Sequence, residues 1–244
     1  MTRPLFVAVL SMLAVVATGA AQTTATKTGF VTKEFTNADG SKSPYVVFVP
    51  HGYDGAKAYP VILFLHGSGE TKGGAQQPVQ VGIGPAIKKH EKTFAFITVI
   101  PQSEKRTWKA DSEDGKRALA ILDEVSKSYK TDPDRTYLTG LSMGGAGTWS
   151  MALAHPEKWA AIVPICGGGN VADAKKLKNV ACWSFVGDKD SEKTVAGMKD
   201  MNDALKKIGA EAQHTVYPGV GHNSWDAAYA EKDLFPWLAA QKKK

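Results

Sequence analysis

From residue 59 onward the chain alternates short, fully apolar runs with longer stretches of helical spacing, and this alternation restricts its fold most. "YPVILFLHG" (residues 59–67) and "FAFITVIPQ" (residues 94–102) are rich in β-branched and aromatic residues with almost no polar interruption. A strand that shows no polar face must be covered on both faces. In residues 114–129, Ala118, Ile121, Leu122 and Val125 recur at helical spacing. "RTYLTG", "WAAIVPICGGG", "ACWSFVGDKD" and "AQHTVYPG" read as further strands, with helices expected over residues 146–154, 195–208 and 225–240. Strand and helix in turn predict an α/β fold, a mostly parallel sheet with helices on both faces.

Ahead of this pattern, "GFVTKEF" and "SPYVVFV" flank the turn-forming "NADGSK", which predicts an antiparallel edge made of two strands. No internal repeat divides the chain, so a single domain is expected over residues 22–244. Residues 1–21 differ in kind. Arg3, the apolar run "PLFVAVLSMLAVVA" and the small residues of "TGAAQ" have the layout of a secretory signal peptide cut after Ala20 or Ala21. The run falls short of the ~20 residues a membrane span needs. A secreted or periplasmic protein, off the membrane after cleavage, is the expectation.

With 43% hydrophobic and 22% charged residues, the 244-residue chain has the composition of an ordinary globular protein. The net charge of +6 is spread over lysines, including the terminal "QKKK". No arginine cluster interleaved with aromatics points to nucleic acid. Cys166 and Cys182 show no C-x-x-C spacing and no H-E-x-x-H is present, so neither a metal nor another cofactor is expected. The two cysteines fall at opposite ends of neighbouring strands, too far apart to pair. Nothing here bears on oligomeric state.

Ligands of such sheets bind where strands end and loops begin. There "YLTGLSMGGAG" sets Ser142 among four glycines in eight residues, Gly140 to Gly147. G-x-S-x-G between a strand and a helix is a sharp turn that exposes a serine hydroxyl. A hydroxyl becomes a nucleophile only beside a base. Among the histidines after Ser142, His155 precedes a proline at a helix end and His214 lies inside a strand. His222, in the glycine loop "YPGVGHNSWD", is the candidate base. The acid that orients it is expected in "SFVGDKDSE", which offers both Asp188 and Asp190. An oxyanion would need two N–H donors. Met143, next after the serine, supplies one, and Ser68 in "LHGSGE" supplies the other, with His66 bracing that loop.

"LFLHGSGE", "IPQ", "GLSMGGAGTW", "AAIVPICGGG", "FVGDKD" and "GVGHNSWD" together resemble the α/β-hydrolase superfamily. More narrowly they are similar to its secreted esterase and polyester-depolymerase-like branch, with feruloyl and acetyl-xylan esterases and prolyl-oligopeptidase-type catalytic domains as relatives. The resemblance runs from Phe35 to Leu238. It implies Ser142 as nucleophile, His222 as base and Asp190 as acid, and the stretches between core elements leave no room for a full cap domain. The substrate it implies is a small-molecule or polymer ester, cleaved through an acyl-enzyme. Residues 69–92 and 103–114 are expected to wall an open cleft, with Trp108 and Trp225 as candidate substrate contacts. Peptide hydrolysis and non-catalytic polymer binding are the competing readings.

Overall fold

The structure, a computed structural model, describes Met1 and residues 26–244, so the expected signal segment lies, Met1 apart, outside the described residues. Eight strands form within them: β1 (Gly29–Thr36), β2 (Lys42–Val49), β3 (Tyr59–Leu65), β4 (Ile97–Pro101), β5 (Thr131–Leu141), β6 (Ala161–Ile165), β7 (Ala181–Gly187) and β8 (Ala212–Tyr217). They make one sheet in the order β1-β2-β4-β3-β5-β6-β7-β8. The β1–β2 and β2–β4 pairs are antiparallel and the remaining pairs parallel. The hairpin therefore supplies the antiparallel edge, as the turn chemistry of residues 37–42 predicts.

Among the described residues six α-helices accompany the strands, the last two following β8: α1 (Ile83–Lys89), α2 (Glu113–Ser128), α3 (Met143–Ala154), α4 (Glu192–Lys207), α5 (Trp225–Ala230) and α6 (Leu234–Ala240). The apolar runs of the central strands are uninterrupted because each of these strands feeds two cores. On β3, Val61, Leu63 and Leu65 face a cluster that includes Ile121 and Leu122 of α2, Trp149 of α3 and Leu205 of α4. Ile62 and Phe64 face the opposite cluster, with Ile83 and Ile87 of α1, Tyr229 of α5 and Leu238 of α6. All seven β3 residues are buried. Each such side chain withdrawn from water contributes roughly 1.5–3 kcal/mol before entropy is counted.

Local chemistry starts the helices. Ser112 Oγ accepts the Gly115 N–H ahead of α2, and Ser191 Oγ accepts the Thr194 N–H ahead of α4. Two expectations are corrected. The closing helix expected over residues 225–240 is two helices, broken at Glu231, whose ψ of 119° is extended. Pro236 is the reason: without an N–H it fits only the first turn of a helix, so a new one starts at Leu234. The second correction is α1, which lies inside a stretch expected to be loop. Its seven residues carry Gly84 and Pro85, which read as loop chemistry, while Ile83 and Ile87 lock it to the core.

Candidate active site

Between Leu141, the last residue of β5, and Met143, the first of α3, the chain turns on Ser142 alone. Ser142 has φ 54° and ψ −114°, a backbone state that costs a non-glycine residue about 1–3 kcal/mol. The two motif glycines allow it. A Cβ on Gly140 would lie 2.4 Å from the Gly144 carbonyl oxygen, and one on Gly144 would lie 1.9 Å from that of Leu65. The Ser142 N–H donates to the Ile165 carbonyl at 2.9 Å, and Cys166 Sγ lies 3.3 Å from the same nitrogen. Ser142 Oγ does not cap its own helix. It lies 2.8 Å from His222 Nε2 instead.

His222 sits on the loop between β8 and α5, and Asp190 on the turn after β7. His222 Nδ1–H donates to Asp190 Oδ2 at 2.8 Å. That carboxylate is nearly buried, its side chain 5% exposed, whereas the imidazole is 49% exposed. Asp190 Oδ1 also accepts the Ser191 N–H at 2.6 Å, which fixes the rotamer. With Nδ1–H committed to the carboxylate, the neutral ring presents an unprotonated Nε2 to the serine. Asp188 points elsewhere, its Oδ1 accepting the Gly219 N–H at 2.7 Å. The two loops pack closely, since a Cβ on Gly187 would lie 2.1 Å from the Val220 carbonyl oxygen. The Trp225 ring meets the His222 ring edge-on at 5.8 Å.

The loop after β3 is built around His66, which is fully buried. Its Nδ1–H donates to the Gly67 carbonyl at 2.6 Å, and its Nε2 accepts the Ser103 N–H at 3.0 Å. Burial pushes His66 down to about 4, so the ring is neutral at ordinary pH. Trp108, 1% exposed, donates its Nε1–H to the His66 carbonyl at 2.9 Å. Sequence reasoning passed over Asp114, whose only visible signal is its place in the first turn of α2. The buried carboxylate accepts the Ser103 hydroxyl at 2.6 Å and the Lys105 N–H at 2.7 Å, and pairs with Arg117. Asp114, Ser103, His66 and Trp108 thus form one brace.

Ser68 opens a 3₁₀ turn, Ser68–Glu70, and Met143 opens α3. The first N–H groups of a helix have no acceptor within it. The two turns touch, since a Cβ on Gly67 would lie 2.8 Å from Leu141 Cδ1 and 3.8 Å from Ser142 Cβ. Along the start of α3 runs a groove of about 540 Å³, lined by Trp108, Lys109, Met143, Gly147, Gly168 and Asn170 among others. His214 is tied to Ser184 of β7 at 2.8 Å, and His155 ends α3. Both stay with the strand and helix ends where the sequence puts them. Among the described residues, Cys166, Asp190 and His222 form one group with metal-ligand character. No helix of the described residues is long and apolar enough to cross a membrane.

An eight-stranded sheet in this order, with a serine on the turn between β5 and α3, defines the α/β-hydrolase fold. A solved thermostable esterase superposes with a TM-score of 0.80 over 88% of this chain and 63% of its own, at 27% identity. The chain belongs to the Esterase family, whose sequence pattern matches residues 36–174. Among curated relatives, an endo-1,4-beta-xylanase/feruloyl esterase of Xylanibacter ruminicola is 27% identical over 72% of this chain and 26% of its own length. Feruloyl esterase D of Neurospora crassa is 26% identical over 80% of this chain and 70% of its own. A poly(3-hydroxyalkanoate) depolymerase of Paucimonas lemoignei is 30% identical over 51% of this chain and 32% of its own. The chain spans between a quarter and a half of the length of the first two curated relatives it matches.

Proposed function

We propose that this chain is an exported serine hydrolase that cleaves carboxylic esters through an acyl-enzyme, using Ser142, His222 and Asp190. The observation that carries the reading is the unbroken line of two 2.8 Å contacts, Ser142 Oγ to His222 Nε2 and His222 Nδ1 to Asp190 Oδ2.

In this reading His222 Nε2 takes the Ser142 proton as Oγ attacks the ester carbonyl carbon. The negative charge that develops on the carbonyl oxygen is met by the N–H groups of Ser68 and Met143. The imidazolium, steadied by Asp190, then gives its proton to the departing alcohol. Water enters, His222 takes its proton, and the attack repeats on the acyl-enzyme to release the acid. The brace from Asp114 to His66 holds the Ser68 loop in place before substrate arrives, so little reorganisation accompanies reaction.

Three of the relatives are named for feruloyl esters or a polyester, which supports an ester carried on a polymer or released from one. The open groove beside Met143 accords with this, with Trp108 in its lining and Trp225 edge-on to His222 as the candidate substrate contacts. Residues 22–244 form the catalytic domain in this reading, and residues 1–21 the signal that exports it. Replacing Ser142 by Ala tests the proposal, with p-nitrophenyl acetate, feruloylated and acetylated sugars as substrates. Turnover falls by up to ~10⁶ and labelling by a fluorescent phosphonate disappears. Turnover near the parent level would refute it.

A further inference from the structure

We propose that Cys166, Asp190 and His222 form a binding site for a thiophilic divalent cation of the zinc class. The ligand atoms of these three residues lie within 4.8 Å of one another. A thiolate, an imidazole and a carboxylate are the donors that zinc takes, and three protein ligands leave a fourth position for water. Metal–ligand bonds of ~2.0–2.3 Å require neighbouring ligand atoms ~3.3–3.8 Å apart. The widest pair must therefore close by about 1 Å, while His222 Nδ1 and Asp190 Oδ2, now 2.8 Å apart, must part to admit the ion.

The arrangement divides the work. Cys166 is fixed at the end of β6, 2% exposed, its N–H bonded to the Phe185 carbonyl at 2.9 Å. Asp190 is held by the Ser191 N–H. His222 is the ligand that must turn, and it is also the one that faces water, so the ion has a path inward. An independent feature points to the same spot. Ser224 is fully buried, and its Oγ has no hydrogen-bond partner of ordinary geometry although it faces the Cys166 thiol. A thiolate there would accept the Ser224 O–H, the kind of outer contact that supports metal ligands.

Binding releases the thiol proton to water and inserts the cation where His222 Nδ1 now meets Asp190. A neutral imidazole carries one ring hydrogen. With the metal on Nδ1, that hydrogen moves to Nε2, which can then only donate toward Ser142 and cannot take its proton. Inhibition, unlike binding, rests on the catalytic reading of His222 given above.

Binding and inhibition are read separately. Cobalt(II) is added to Ser142→Ala, and a thiolate-to-metal charge-transfer band appears in the near ultraviolet. Cys182→Ala retains the band. Zinc chloride inhibits p-nitrophenyl acetate turnover by the parent enzyme, chelation restores it, and magnesium has no effect. Cys166→Ser raises the half-inhibitory zinc concentration more than ~10-fold, because even supporting contacts are worth 10–100-fold in metal affinity. If that variant does not fold, the cobalt band alone decides, since nitrogen and oxygen ligands cannot produce it. Absence of the band, or equal inhibition of parent and Cys166→Ser, overturns the site. A band in Ser142→Ala with no zinc inhibition of the parent leaves the site standing and removes the catalytic reading.

Discussion

Asp188 and Asp190 stand two residues apart on the turn after β7 and hold different parts of the same neighbouring loop. Asp190 Oδ2 receives the His222 Nδ1–H at 2.8 Å, while Asp188 Oδ1 receives the Gly219 N–H at 2.7 Å. One aspartate therefore sets the imidazole and the other sets the backbone that carries it. Asp190→Asn is expected to lose ~10⁴ in kcat, because an amide favours the wrong imidazole tautomer. Asp188→Asn keeps an oxygen that can accept the Gly219 N–H and is expected to stay within tenfold of the parent, roughly 1.4 kcal/mol. Steady-state kinetics of both variants check this, and a reversed ranking would make Asp188 the acid.

Trp108→Phe is expected to cost about 1–3 kcal/mol of stability, since it leaves the buried His66 carbonyl without its indole donor. Urea unfolding measures the loss. Tyrosine in its place should do no better, as its hydroxyl lies in a different direction from Nε1. A Phe variant as stable as the parent would show that the His66 carbonyl finds another donor.

His66 makes stability depend on pH. Its folded value, about 4, lies below the 6.5 of a free imidazole because burial disfavours the charged ring. Between those values the unfolded chain binds a proton that the folded chain refuses. The stabilisation is fully present above pH 6.5 and declines as pH falls toward 4, with a limiting slope of about 1.4 kcal/mol per pH unit. His66→Gln, which can still accept the Ser103 N–H, should flatten that slope by one proton. Urea midpoints of both proteins across the window decide it, and parallel curves would assign the slope to another group.

Both cysteines are buried and free. In the β6–β7 register Cys182 pairs with Ile162, and Cys166 lies just past Ile165, so the two thiols stand at different levels of the sheet. Thiol titration of denatured, unreduced protein should count two. A count of zero would show that the pair bridges, against the strand register.

Gly144→Ala should abolish soluble, active protein. Its Cβ would meet the Leu65 carbonyl oxygen at 1.9 Å, a backbone atom with no flexible side chain to yield. Soluble yield and circular dichroism check this, and a folded Gly144→Ala protein would mean that α3 can tilt away from β3.

The sequence by itself determined the layering of this protein, because burial on both faces leaves a local mark. β3 reads as an apolar run since neighbours in sequence, such as Ile62 and Leu63, enter opposite cores. The turn at Ser142 is equally local, as Gly140 and Gly144 are four residues apart and must be small for the chain to bend there. Only the tertiary structure decided which aspartate meets His222, because that depends on how the loops after β7 and β8 dock, and both candidates have the same chemistry. It likewise set Trp108 as a donor to His66, 42 residues away, and gave Asp114 its brace through Ser103. It put Cys166 beside Asp190 and His222, three residues that no spacing rule connects. Short-range patterns record which faces are buried and where the backbone must turn. Contacts between loops depend on where eight strands bring their ends, and no single segment carries that information.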